Sequence, residues 1–145
     1  IGSEDPECDP KEWIPNPDEF NREITDSQWK AQVYRCMRRI PTLEEPSRKR
    51  GVVDLYDVSD DWLPIYDSTR IKGYYMAIGS SGNQFKNAPI AGHCMAELIE
   101  ACEKGQNHDE DPVQVKTVYT GLTLNMGFYS RNREINPNSS FSVNG

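Results

Sequence analysis

Residues 76–89 read MAIGSSGNQFKNAP, an apolar segment followed by small and amide side chains and then a proline-led helical pattern. A loop that carries the end of a strand to the start of a helix leaves backbone N–H groups unpaired, and the helix dipole adds partial positive charge there. Such a turn can meet an anion or a polarised carbonyl. Gly79 and Gly82 allow dihedral angles and close approach that a Cβ would block. Ser80, Ser81, Asn83 and Gln84 add hydrogen-bonding side chains, and Phe85 and Lys86 lead into the helix. The same residue types also serve plain chain reversal.

Other residues with chemical potential are less well placed. His93 and Cys94 are adjacent, about 100° apart around a helix, which suits a packed histidine better than a shared metal site. The run Asn107–Pro112 (NHDEDP), with His108, Asp109, Glu110 and Asp111, lacks the alternating ligands and glycine of a calcium loop and predicts a solvated loop. Arg38, Arg39, Arg48, Lys49 and Arg50 form a basic cluster that could face a diphosphate or an acidic partner; the default is a surface network with Glu44 and Glu45. No Ser/His/Asp set with a placed nucleophile is identifiable, so no catalytic residue and no metal ligand is assigned.

The elements that hold these residues must come from 145 residues carrying a net charge of -7. That length supports one domain with a real core, while a mean hydropathy of -0.77 predicts a polar surface and long loops. The negative charge opposes binding to nucleic acid and to anionic lipid. No apolar run approaches the roughly 20 residues of a membrane span. Cys8, Cys36, Cys94 and Cys102 form no CxxC pair, which predicts free thiols in a reducing compartment and a cytoplasmic location.

Residues 1–24, rich in Pro, Asp, Glu and Asn, predict a loop docked by Trp13, Ile14 and Phe20. Thr25, Asp26 and Ser27 are candidate caps for a helix over 28–40, with Trp29, Val33, Cys36, Met37 and Ile40 on one face and Pro41 ending it. Val52–Val58 reads as a strand, followed by a turn at 59–64, Ile65–Tyr66, and a strand at Tyr74–Ile78. A second helix runs from about Ala88 to Lys104, with Ile90, Cys94, Leu98 and Ala101 or Cys102 as its buried stripe and Gly105 at its end. Another strand is expected at Val113–Tyr119. The tail from Ser130 to Phe141 is too polar to build its own core and should drape over a surface. The expected fold is α+β: two main helices packed on a small, largely antiparallel sheet, with long irregular termini.

The order of LYDVSDDWLPI at 55–65 and KGYYMAIGSSGNQFKNAPIAG at 72–92 resembles the carboxy-terminal part of the D-amino-acid oxidase, glycine oxidase and sarcosine oxidase family. There the corresponding segments read approximately Y-x-x-T-x-D-x-x-P-I-I-G and G-L-Y-x-A-x-G-x-S-G-H-G-F-K-x-A-P-x-x-G. The resemblance covers about Gly51 to Glu100, extends plausibly over the preceding helix, and does not reach the tail. It implies a fragment of a two-domain flavoprotein fold. Residues 1–57 would belong to a substrate-domain-like region, 58–105 to a return to the FAD domain, and 106–145 to a polar extension. The family's G-x-G-x-x-G fingerprint is not in this chain, which implies an amino-terminal portion beyond it.

The resemblance further implies that Gly79, Ser80, Ser81, Gly82, Asn83, Gln84, Phe85 and Lys86 cover the pyrimidine edge of a non-covalently bound FAD, where negative charge gathers on reduction. Lys86 matches a lysine that helps hold a substrate carboxylate, and a snorkelling helix-start lysine is its plain alternative. Tyr56 matches a residue near the substrate, with a core tyrosine as the alternative. Asp54 stands where some sarcosine oxidases bond the flavin through cysteine, so covalent attachment there is not expected. Asn83 and Gln84 replace the family's His-Gly, which leaves the substrate unassigned. Asp61 and Pro64 fit the family turn as structural residues. The implied function is an amine or amino-acid oxidoreductase segment that is inactive without its nucleotide-binding portion. The alternatives are a non-catalytic assembly module and a small stand-alone binding domain with an anion site at a helix terminus.

Overall fold

Thr25 starts helix α1 (Asp26–Arg39): its side chain accepts a hydrogen bond from the Gln28 amide at 3.2 Å, satisfying one of the donors that a helix start leaves open. Asp26 in the first turn and Arg38 and Arg39 in the last complement the helix dipole. Ile40 caps the end, donating to the Cys36 carbonyl, and Pro41 prevents continuation. Val33 is buried, Trp29, Cys36 and Met37 are half-buried, and Ile40 stays exposed, so the apolar stripe is one residue shorter than its spacing implies.

The computed structural model describes Gly2, Asp9 and residues 11–143, and its chain forms two units, Ile1–Leu55 and Tyr56–Gly145. In the first, Arg35 makes a forked ion pair with Asp9, at 2.6 and 2.9 Å. Lys49 pairs with Asp26 at 2.7 Å, so the basic cluster's recorded partner is helix α1 and not the expected Glu44 and Glu45. Trp13, 69% exposed, is not the anchor its size suggested. Cys8 lies outside the described residues; Cys36, Cys94 and Cys102 are free.

The second unit is built on helix α2 (Ala88–Glu103) and two antiparallel pairs: β1 (Ile65–Ser68) with β2 (Tyr75–Ile78), and β3 (Gln114–Lys116) with β4 (Thr123–Asn125). Tyr66 faces Ala77 and Asp67 faces Met76 in the first pair; Val115 faces Leu124 in the second. Together with α1 these make an α+β chain, with two small sheets in place of the one expected. Cys94 and Leu98 of α2 join Tyr66, Val113, Val115 and Met126 in the core, edged by Ile90, Ala101 and Cys102. Gly105, at φ +99°, closes α2: its amide meets the Cys102 carbonyl and the Gln106 amide meets that of Ala101, the paired bonds of a Schellman motif.

Two strand expectations fail. Residues 52–58 form no strand, and Val52 is 93% exposed, because β-branched content forms a ladder only where a partner strand exists. The strand expected at 113–119 stops at Lys116, where the chain turns back into β4, which the sequence reading did not anticipate; Tyr119 at the hairpin tip is 97% exposed. Among the described residues no helix is long and apolar enough to cross a membrane.

Candidate functional site

The turn after β2 is held by the segment that precedes β1. Asp57 Oδ2 accepts the Gly79 amide at 2.7 Å and the Ser80 amide at 3.1 Å, and Oδ1 accepts the Ser80 hydroxyl. The Ser81 amide donates to the Asp57 carbonyl at 3.0 Å. Ser81 is buried at φ +49°, a left-handed conformation rare outside glycine that these bonds maintain. Burial pushes the Asp57 carboxyl up, but hydrogen bonds from Ser80 and Gly79 outweigh that and hold it below the usual carboxylate value.

Tyr56 and Gly82 meet directly. A Cβ on Gly82 would lie 2.7 Å from the Tyr56 ring, and Gly82 has φ +75°, so both sterics and backbone select glycine here. Tyr56 is exposed, which excludes the core-tyrosine alternative. Gln84 ties the turn to the core: its Oε1 accepts from the Tyr66 hydroxyl at 3.2 Å and from Asn87 at 3.0 Å, and its Nε2 donates to Asn83. A short 3-10 helix, Phe85–Asn87, then leads into α2, and neither helix is capped by a side chain. Phe85 is 98% exposed and Lys86 is exposed beside it. The structure thus sets Tyr56 against Gly82 in the turn that leads to α2, with the Gly79, Ser80 and Ser81 amides already bonded to Asp57.

Asp54 bonds locally, accepting the Leu55 amide at 2.9 Å. His93 is half-buried, with Nε2 3.2 Å from the Lys116 carbonyl; since a carbonyl only accepts, that nitrogen carries the proton.

A second polar centre lies under the tail, and its residues were not singled out together from sequence. Asp67 is fully buried and accepts from Ser130 Oγ at 3.0 Å, from the Arg131 amide at 2.7 Å and from Arg131 Nη1 at 2.9 Å. Arg131 Nη2 reaches Asp109 at 2.6 Å. Asp61, also buried, receives the fork of Arg133 at 3.0 and 2.6 Å and the Leu63 and Asn136 amides. The Arg133 hydrogen bonds hold the Asp61 carboxyl far below the ordinary range. The polar tail therefore drapes as expected, fixed by two arginine–carboxylate clasps. The alternation Arg131-x-Arg133, which sends two guanidiniums to two buried acids, was the available signal.

His108 overturns the solvated-loop expectation. It is buried: its Nδ1 accepts the Val113 amide at 3.1 Å, so its proton sits on Nε2, which has no hydrogen-bond partner and lies 3.6 Å from Asp67 Oδ1. Pro112 and Val113 fold the loop inward, leaving Glu110 and Asp111 outside. Ser130, Asp67 and His108 do not form a nucleophilic triad, because the Ser130 hydroxyl donates to the acid and not to the imidazole. No group of three or more His, Cys, Asp or Glu side chains suited to a metal is present among the described residues.

Two open clefts flank the far end of α2. One of about 370 Å³ is lined by Tyr75, Cys102, Glu103, His108 and Asp109 among others. There the Tyr75 hydroxyl donates to Glu103 at 2.7 Å, which pushes the phenol up to about 12 and makes it a poor proton donor near neutrality. The other, of about 580 Å³, lies between Glu97, Glu100 and Lys104 on α2 and Asp111–Gln114. Comparison with known proteins finds no matching family, no similar curated protein and no similar solved structure.

Proposed function

We propose that the chain is the carboxy-terminal segment of an FAD-dependent oxidoreductase acting on an amine or amino acid, inactive without a nucleotide-binding portion of the same protein. The observation that carries this reading is the helical run that starts at Phe85 without a side-chain cap, after a turn in which Gly82 meets the Tyr56 ring. Donors at such a start suit electron-rich carbonyl oxygens of a flavin ring. FAD, when bound, supplies the hydride acceptor.

This chain's part is to orient and exclude. Asn83, Gln84 and Phe85 would lie along the ring, and Tyr56 and Lys86 would flank the substrate. The Lys86 ammonium would meet a substrate carboxylate as a charge-assisted pair. The location we assign is cytoplasmic, consistent with the free thiols.

The test is the complete translated product. It is expected to be yellow, with a flavin spectrum that changes when an amine substrate is added. A colourless product that takes up no added FAD overturns the reading. In an active product, Lys86→Ala should raise KM for a carboxylate-bearing substrate about tenfold with kcat little changed; an unchanged KM removes Lys86 from the site.

A second reading, a non-catalytic assembly module, is favoured by the apolar tip of the β3–β4 hairpin, where Val118, Tyr119 and Leu122 are all exposed. A colourless product whose self-association or partner binding is lost in Tyr119→Ser would support that reading.

A further inference from the structure

Arg48, Lys49 and Arg50 are the longest run of basic residues in the chain, and Gly51 follows them. In the fold every residue from 38 to 52 is exposed. Residues 44–54 belong to no helix or strand, and among the described residues none of them makes a backbone–backbone hydrogen bond. Side chains tie the stretch down: Tyr34 donates to Glu45 at 3.4 Å, Lys49 pairs with Asp26 at 2.7 Å, and Gly51 passes close to Ile24. Exposed pairs of this kind hold a segment weakly.

An endoprotease draws substrate backbone into its own cleft, so a folded chain is cut where backbone is exposed and free of internal hydrogen bonds. Arginine or lysine before the cut bond suits a primary pocket with a carboxylate at its base. Arg38 and Arg39 also adjoin, but they close α1, whose hydrogen bonds would have to open first. Arg131 and Arg133 are held in the clasps. Basic sequence and backbone freedom therefore coincide at 48–50. A cut there also spares the second unit: the core around Leu98 and Met126 and both clasps lie within residues 56–145.

We propose that Arg48–Arg50 is a processing site for a serine endoprotease of basic specificity, which cuts after Arg50. Hydrolysis breaks the C–N bond between Arg50 and Gly51. The hydroxyl of water joins the Arg50 carbonyl carbon, giving a carboxylate, and the two protons released go to the Gly51 nitrogen, which leaves as an ammonium. This role stands apart from the flavin reading, since Tyr56 and residues 79–86 all remain in the carboxy-terminal piece.

The experiment exposes the full chain to dilute trypsin, a protease of this class, beside the variant Arg48→Gln/Lys49→Gln/Arg50→Gln, and follows the fragments by mass spectrometry. The first cut should fall at 48–50 and leave a carboxy-terminal piece that resists further digestion and keeps its circular dichroism. The triple variant should lose that cut. A first cut elsewhere, a carboxy-terminal piece degraded as fast as it forms, or a triple variant digested at the wild-type rate overturns the proposal. Protein recovered from the cells that make it should include a piece beginning at Gly51, and an uncut chain throughout overturns the processing role.

Discussion

The turn at the head of α2 and the clasps beneath the tail both depend on aspartates, yet they treat charge in opposite ways. Asp61 and Asp67 are buried, and each is answered by a guanidinium, that of Arg133 and that of Arg131. Asp57 is exposed and answered only by dipoles. Buried carboxylates need a cation, because desolvation in a low-dielectric interior would otherwise neutralise them. A surface carboxylate does not, so it can hold a backbone conformation with dipoles alone. The contrast separates acids that lock the interior from an acid that shapes a surface turn.

The sharpest way to break the comparison is to empty a clasp. Asp67→Ala removes the buried acceptor of the Ser130 hydroxyl and of the Arg131 amide and guanidinium, leaving Asp109 as the one carboxylate paired with Arg131, and urea denaturation should report a loss of about 3–5 kcal/mol. A loss under 1 kcal/mol would show that the clasp is as solvent-screened as the turn.

Acid gives the next largest effect. Because the folded Asp61 carboxyl is depressed below its unfolded value, its contribution is fully present above the ordinary carboxylate range and is lost as pH falls through the lower folded value. Denaturation midpoints followed downward from pH 5 should therefore fall, and Asp61→Asn should flatten that dependence by an amount on the order of 2 kcal/mol. An unaltered slope in Asp61→Asn would place the acid sensitivity elsewhere.

Within the turn, Gly82→Ala meets both a positive φ and the Tyr56 ring, for a cost of about 1–2 kcal/mol. Pairing it with Tyr56→Ala in a double-mutant cycle should recover the steric part and leave the backbone part. Additive effects would mean that the ring moves aside freely.

Local signals were legible where a single residue decides the outcome. Thr25 and Pro41 bracket α1, Gly105 closes α2, and the Cys94–Leu98 spacing marks its buried face. Tyr56 and Gly82 lie in separate segments of the sequence, and their contact appears only in the fold. What stayed hidden depends on partners distant in sequence. Val52–Val58 has strand composition, but only the chain's path decides whether another strand lies beside it. His108 sits among acidic residues in a stretch that reads as solvent-facing, and nothing local reveals that Val113 donates to its ring. Asp57 looked like one more acid in an acidic chain; its role appears only once Gly79 and Ser80 come back to it, more than 20 residues later.

The clasps also impose an order on biosynthesis. Asp61 leaves the ribosome 72 residues before Arg133, and Asp67 leaves 64 before Arg131. At typical elongation speeds the nascent chain spends roughly four to fourteen seconds with the earlier acid made and its cation still to come. During that interval those acids cannot settle into the interior except at high cost, so the second unit should reach its final compaction only after the arginine-bearing tail has been translated.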